Sequence, residues 1–328
     1  MSPPDLMPLT AVGILITNWC PARCRHCYVC SSPERREWMT VETATGHLAA
    51  LARMGVPAKG IHIGGGEPFG DFERALTIVR AAQDVGLAGV GFVETNGFWA
   101  TSEPQVRQRL AELREAGMMK IHISADPYHQ EFVPAERVRL LHEVARDVLG
   151  PDGVRARRWK WLQRPQDVAA LPEGERQAFF ARFLRHYPER MAGRAARCLA
   201  PLAERTPIDA LPDDGCRAAV LESGRIHVDP DGWVYPGTCA GIALGRATAD
   251  VPLDDLLGAW RLDVSPLIAR LVAGGPKRLL PDAANGGFRP DPAGYAGTCH
   301  LCWSVRRHLV EAGGGGDDLQ PEWVYAAL

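Results

Sequence analysis

Nine cysteines occur in 328 residues, and they fall in two zones. Cys20, Cys24, Cys27 and Cys30 lie near the N-terminus, while Cys198, Cys216, Cys239, Cys299 and Cys302 lie in the last two-fifths of the chain. The first zone reads CPARCRHC (20–27), a C-x3-C-x2-C spacing. Three thiolates in so short a stretch must fold around one centre. A tetrahedral zinc site needs a fourth ligand, which Cys30 or His26 could supply. Three ligands alone leave one iron of a 4Fe–4S cube open, which suits a site that binds a substrate.

The elements around the cysteines follow from hydrophobic periodicity. AVGILIT (11–17) is β-branched and apolar and reads as a buried strand, and residues 18–32 read as a loop. MTVETATGHLAALARMG (39–55) reads as a helix, with Thr40 as cap, an apolar stripe of Val41, Ala44, Leu48 and Leu51, and Gly55 as stop. The thiol loop therefore sits at the C-terminal end of a first strand, where catalytic groups gather in α/β barrels. Strands at 59–68, 89–97, 119–126 and 154–158 then alternate with helices near 71–86, 103–117 and 136–149. Such alternation implies parallel pairing with right-handed crossovers.

Over about residues 10–160 the chain resembles the radical S-adenosylmethionine (radical SAM) superfamily. The matching features are the loop of Cys20, Cys24 and Cys27 after strand 1, GGGEP (64–68) after strand 2, and the strand-end runs ETNG (94–97) and SAD (124–126). The resemblance implies an α/β fold with a partial (βα)6 TIM-like barrel. Cys20, Cys24 and Cys27 would hold three irons of a 4Fe–4S cluster, and S-adenosylmethionine would chelate the fourth. One electron, from a donor such as flavodoxin or ferredoxin, would cleave the sulfonium to a 5′-deoxyadenosyl radical that abstracts a substrate hydrogen. Gly64, Gly65 and Gly66 would let the backbone approach the methionyl group, with Glu67 near its ammonium and Pro68 closing the motif. Asn96 and Ser124 suit ribose or carboxylate, and Tyr28 or His26 would lie near adenine. Glu94 is expected to point into the cavity from strand 3. Asp126, Tyr128 and His129 either reach the substrate or form an Asp–Pro turn whose His caps the next helix. Arg155 and Arg157 share one face of strand 5, where they face solvent or anchor the carboxylate of S-adenosylmethionine.

The C-terminal half reads differently. Residues 165–215 suggest amphipathic helices (173–187 and 189–198) and a loop, with no chemistry except Cys198. IHV (226–228), the turn DPDG (229–232) and WVY (233–235) read as a β-hairpin bracketed by Cys216 and Cys239. CHLC (299–302) leads into a last long helix, after a Gly/Pro/Asp-rich loop at 280–297. This pattern resembles the twitch and SPASM extensions of radical SAM enzymes. It implies a C-terminal α+β auxiliary domain in which Cys216, Cys239, Cys299 and Cys302 bind a second 4Fe–4S cluster. The five downstream cysteines are fewer than a two-cluster SPASM domain needs, so the single-cluster twitch form is expected. Four Cys with one C-x2-C pair also describe a structural zinc site. Cys30 and Cys198 are left over, and Cys198 could donate a hydrogen atom, as a thiol does in some radical SAM epimerases.

The expected segments are a barrel core (1–165), a helical connector completing the barrel (166–212), the auxiliary domain (213–313) and a tail (314–328). With 37 basic and 39 acidic residues, no global field recruits nucleic acid or an anionic membrane. The start MSPPDLMPLT lacks a basic signal-peptide region, and the longest apolar run, near 11–16, is far short of the about 20 residues of a membrane span. A cytoplasmic enzyme is expected. It would dehydrogenate or epimerise a small sugar-like or natural-product substrate. A radical SAM peptide maturase forming a crosslink, thioether or epimer is the alternative. Only about ten residues precede strand 1, so leader binding would then fall to a separate protein. A zinc-binding protein is the reading from another class.

Overall fold

The computed structural model describes residues 6–326; residues 1–5 and 327–328, the outer ends of the first and last expected segments, lie outside it. β1 (Ala11–Leu15) is buried beyond its first residue. α1 (Val41–Arg53) begins at Thr40, whose hydroxyl accepts a hydrogen bond from the Thr43 amide at 3.1 Å. β2 (Ile61–Gly64) leads to α2 (Phe72–Asp84), capped in the same way by Asp71 on the Arg74 amide at 3.1 Å. β3 (Val90–Thr95), α3 (Glu103–Glu115), β4 (Met118–Ile123), the short α4 (Pro127–Gln130), α5 (Ala135–Leu149) and β5 (Val154–Ala156) complete the repeats. The helices bury their apolar stripes on the outer face of the sheet.

The sheet order is β5-β4-β3-β2-β1-β6-β7-β8. β6 (Arg225–Val228) runs parallel to β1, with Gly13 opposite His227. β7 (Trp233–Pro236) and β8 (Gly245–Arg246) follow antiparallel. The hairpin expected in the C-terminal extension is therefore continuous with the barrel sheet, and its first strand is the sixth parallel strand. The reason lies in β1. A sheet grown in the order 1 to 5 leaves one edge of β1 unpaired, and the buried backbone of Val12 and Ile14 needs partners there. The DPDG turn is held by Asp229, whose Oδ1 accepts from the amides of Asp231 (3.0 Å) and Trp233 (2.9 Å).

Three further elements position the site. α6 (Trp159–Gln163) and α7 (Glu173–His186) pack beside the thiol loop, and α8 (Arg194–Cys198) is shorter than the helix expected at 189–198. It starts only after Gly193, which has φ of +58°. The 280–297 segment is not wholly loop, since it contains the helix Leu280–Asn285. The tail docks on its own chain: Arg306 Nη1 donates to the Tyr325 hydroxyl at 2.6 Å, and Tyr325 stacks on Trp303 with centroids 4.9 Å apart.

Candidate active site

A cavity of about 870 Å³ lies inside the curled sheet. It runs from the thiol loop at the C-terminal strand ends to Lys59 and Arg225 at the N-terminal ends. Strand register sets its floor. Glu94 pairs with His122, and His122 with Arg155, so β3, β4 and β5 place these three side chains in one row. One pleat nearer the thiols, Asn96, Ser124 and Arg157 form a second row on the same face. Below, His62 stacks on Phe92 (4.5 Å), Phe92 on His122 (3.6 Å), and His62 meets His227 edge-on (5.3 Å). Gly13 makes this packing possible, because a Cβ there would lie 2.3 Å from the His227 ring and 2.5 Å from His62. Burial holds His62, His122 and His227 down to about 4, and so neutral at pH 7. Burial raises the Glu94 carboxyl, against the pull of His227, Arg157, His129 and Arg155.

Cys20, Cys24 and Cys27 all line this cavity, as do Tyr28, Gly65, Gly66, Pro68, Glu94, Asn96, Ser124 and His129. Asn96 Nδ2 and the Ala22 amide each donate to Cys20 Sγ at 3.5 Å. The glycines answer a nearer constraint than the expected one. A Cβ on Gly65 would lie 2.4 Å from the Thr17 carbonyl, and one on Gly66 would lie 2.0 Å from that of Trp19. A Cβ on Gly64 would lie 2.9 Å from Glu94 Oε2. The motif thus presses β2 against the root of the thiol loop, with Gly66 N bonded to Thr17 O at 2.7 Å. Glu67 does not line the cavity. It is fully buried, and its carboxyl accepts from Phe69 N (3.2 Å), the Thr95 hydroxyl (2.9 Å) and Asn96 N (2.7 Å). It acts as a tie between the ends of β2 and β3.

Arg194 on α8 is a residue the sequence reading missed. Its buried guanidinium donates to the carbonyls of Cys24 (3.1 Å), Cys30 (3.0 Å) and Ser31 (2.8 Å), and its amide donates to Cys27 O at 3.0 Å. Gly193 permits the approach, since a Cβ there would lie 2.4 Å from the Tyr28 carbonyl. The glycine and arginine in GR (193–194) were the only local signal.

Asp126 is buried behind the cavity wall and caps α4 through the amides of Tyr128 (3.1 Å) and His129 (3.2 Å). The Asp–Pro turn reading therefore describes its geometry, although the carboxylate, not His129, forms the cap. His129 Nδ1 lies 2.9 Å from Asp126 Oδ1, and His26 Nε2 lies 3.8 Å from Oδ2. These ligand atoms fall within 4.8 Å of one another. Arg157 Nε already stands 3.9 Å from the same Oδ2, so a cation serves the carboxylate without a metal ion. His129, His26 and Arg157 hold Asp126 far below the usual carboxylate range, even against burial. His26 stacks on Tyr128 at 4.8 Å.

The second thiol group gathers beside β7. Cys302, Cys239 and Cys299 stand close enough to Cys216 to raise its thiol, which burial and these neighbours push up to about 12. Arg306, buried beneath them, donates from Nε to Cys302 Sγ at 3.3 Å and from Nη1 to Ala240 O at 3.2 Å. Arg190 Nη1 donates to Cys239 Sγ at 3.3 Å. Cys239 and Arg190 line the main cavity; Cys216, Cys299 and Cys302 do not. Cys198 and Cys30 also lie outside its lining, and Cys30 is packed in the core with φ of +56°.

Both thiol sets offer the donors an iron–sulfur cluster needs. The first set offers three thiols with N–H donors on Cys20 and an adjoining cavity rim of glycine backbone, Asn96 and Ser124. The second offers four thiols and buried guanidinium support.

The chain is similar to several known proteins. The chain is 26% identical over 137 residues to a Bacillus subtilis (strain 168) protein named "Putative peptide biosynthesis protein YydG", and the match covers 41% of each chain. The structure of BtrN in complex with AdoMet and 2-DOIA is similar at a TM-score of 0.49 and 13% identity, covering 83% of this chain and 90% of that one. Native anSMEcpe with bound AdoMet and Cp18Cys peptide is similar at 0.43 and 15% identity, covering 93% and 97%. Residues 14–152 match the radical SAM superfamily. Residues 14–152 therefore form a radical SAM domain, and the thiol loop and cavity rim fit the 4Fe–4S cluster and S-adenosylmethionine of that superfamily.

Proposed function

We propose that the protein is a radical SAM dehydrogenase of a carbinol-bearing small molecule. In this reading Cys20, Cys24 and Cys27 hold the first cluster, and Cys216, Cys239, Cys299 and Cys302 hold a second 4Fe–4S cluster. The observation that carries it is the shared cavity: Cys239 of the second set and all three thiols of the first set line the same space. Once bound, the first cluster with S-adenosylmethionine supplies hydrogen-atom abstraction, and the second supplies an acceptor for one electron. The remaining work falls to the chain. Asn96 and Ser124 orient the cofactor's ribose or carboxylate, with Tyr28 on the adjacent wall. His62, Phe92, His122 and His227 present a layer of stacked rings to the cavity. Glu94, whose carboxyl burial raises, takes the hydroxyl proton on its carboxylate. The substrate thus loses a carbon-bound hydrogen atom, a proton and one electron, and leaves as a carbonyl.

Epimerisation needs a hydrogen-atom donor at the substrate. The thiols lining the cavity all belong to the two ligand sets, and Cys198 lies outside it. This placement supports dehydrogenation over epimerisation. Peptide maturation is the second reading, favoured by the similarity to YydG. No helix among the described residues is long and apolar enough to cross a membrane. A cytoplasmic setting with flavodoxin or ferredoxin as electron donor belongs to the same proposal.

The test is turnover in deuterium oxide. Anaerobically reconstituted protein would be given S-adenosylmethionine, dithionite and a panel of sugars, aminocyclitols and short peptides. Dehydrogenation yields a product lighter by two hydrogens with no deuterium at carbon. A product of unchanged formula carrying one deuterium would establish epimerisation instead, and a response confined to peptides would favour maturation.

A further inference from the structure

The floor row ends in an arginine, Arg155, whose charge reaches Glu94 and His122. Arg155 lines the cavity, yet its guanidinium makes no hydrogen bond or ion pair among the described residues. Arg157, one pleat away, is different: Glu189 binds it through both oxygens at 2.7 and 2.8 Å. Opposite Arg155, two strands over, stands Glu94, also free of any hydrogen-bond partner, with His122 between them in register. The row therefore presents a fork of N–H donors at one end and a carboxylate acceptor at the other, with a ring between. Such a row suits a ligand that brings an anion to the arginine and a hydroxyl to the glutamate.

We propose that Glu94, His122 and Arg155 form a subsite for an α-hydroxy carboxylate: Arg155 clasps the carboxylate, and Glu94 accepts the neighbouring hydroxyl. The substrate class is thereby narrowed to a hydroxy acid, an inference that rests on the cavity being the substrate site. The same carboxylate chemistry is present in S-adenosylmethionine itself, so the test separates the two sources.

Glycolate is the smallest probe with both groups, and ethylene glycol lacks the anion. Each is titrated calorimetrically into the anaerobic, unreduced holoenzyme saturated with S-adenosylmethionine, so that no turnover occurs. Glycolate is expected to bind with a Kd on the order of millimolar, as its few heavy atoms allow, while ethylene glycol gives no heat. Arg155→Gln should weaken glycolate by roughly tenfold or more, the loss of a charge-assisted pair, with the affinity for S-adenosylmethionine unchanged. Arg155→Lys should fall between. Silence with glycolate, or equal binding by Arg155→Gln, overturns the proposal. A loss of S-adenosylmethionine affinity in Arg155→Gln also overturns it and assigns the arginine to the cofactor. Because binding is read without reduction, this outcome is independent of whether turnover yields a carbonyl or an epimer.

Discussion

Arg194 Nη1 donates to the carbonyl of Cys24 at 3.1 Å, joining α8 to the middle of the thiol loop across 170 residues of sequence. Together with the bonds to Cys30 and Ser31, it fixes a segment that has no sheet or helix of its own. Arg194→Leu strands three buried carbonyls and should cost on the order of 3 kcal/mol. Iron in the first cluster should be lost during gel filtration while the second is retained. Iron analysis and chemical denaturation of the variant check both points, and a variant with full iron and unchanged stability would show that the clamp is dispensable.

Gly13 lies directly against the ring layer. Gly13→Ala drives a methyl into His227 and His62, and overpacking of this kind costs about 1–3 kcal/mol. A second change, His227→Ala, opens the same space and should recover part of the lost stability. Thermal unfolding of the single and double variants reads this directly; no recovery would mean that the two sites are uncoupled.

Arg190 places a positive charge 3.3 Å from Cys239 Sγ. Removing it in Arg190→Gln disfavours the reduced, more negative form of a cluster at that thiol. The midpoint potential of the second cluster should fall by roughly 65–130 mV, the one-electron equivalent of one charge-assisted hydrogen bond of about 1.5–3 kcal/mol. A potentiometric titration followed by electron paramagnetic resonance measures the shift. The potential of the first cluster should stay put.

The buried histidines set the pH response. His62, His122 and His227 are ordinary in the unfolded chain, near 6.5, and are lowered to about 4 on folding. Between those values the unfolded chain binds more protons, so their contribution to stability is full above pH 6.5 and lost as pH falls toward 4. Glu67 and Asp229 are raised to about 7 and oppose this, since their contribution declines as pH rises through 7. The urea midpoint should climb from pH 4.5 to 6.5 and flatten above. His122→Phe, which keeps the stack on Phe92, should make the climb shallower; an unaltered slope would remove His122 from the account.

Local signals carried the sequence reading furthest. The thiol spacing, the caps at Thr40 and Asp71 and the apolar stripes each act within a few residues, and the βα repeats lie within a few residues of where those signals put them. Glu94 could be aimed into the cavity because a strand alternates its faces. What was missed depends on distant partners. β6 joins β1 because a sheet edge needs covering, which no residue near 225 announces. Arg194 looked like one basic residue among many on a helix, because its acceptors are carbonyls more than 160 residues away. Glu67 carries the polarity of a ligand group but spends it on three neighbours.

The most direct measurement is release of 5′-deoxyadenosine by anaerobically reconstituted protein given dithionite and S-adenosylmethionine. Wild-type protein should hold about eight irons, four per cube, and release it. Cys20→Ala should release none, while Cys299→Ala should keep cleaving S-adenosylmethionine with about half the iron. Normal release from Cys20→Ala, or zinc in place of iron in the wild-type protein, would contradict the account.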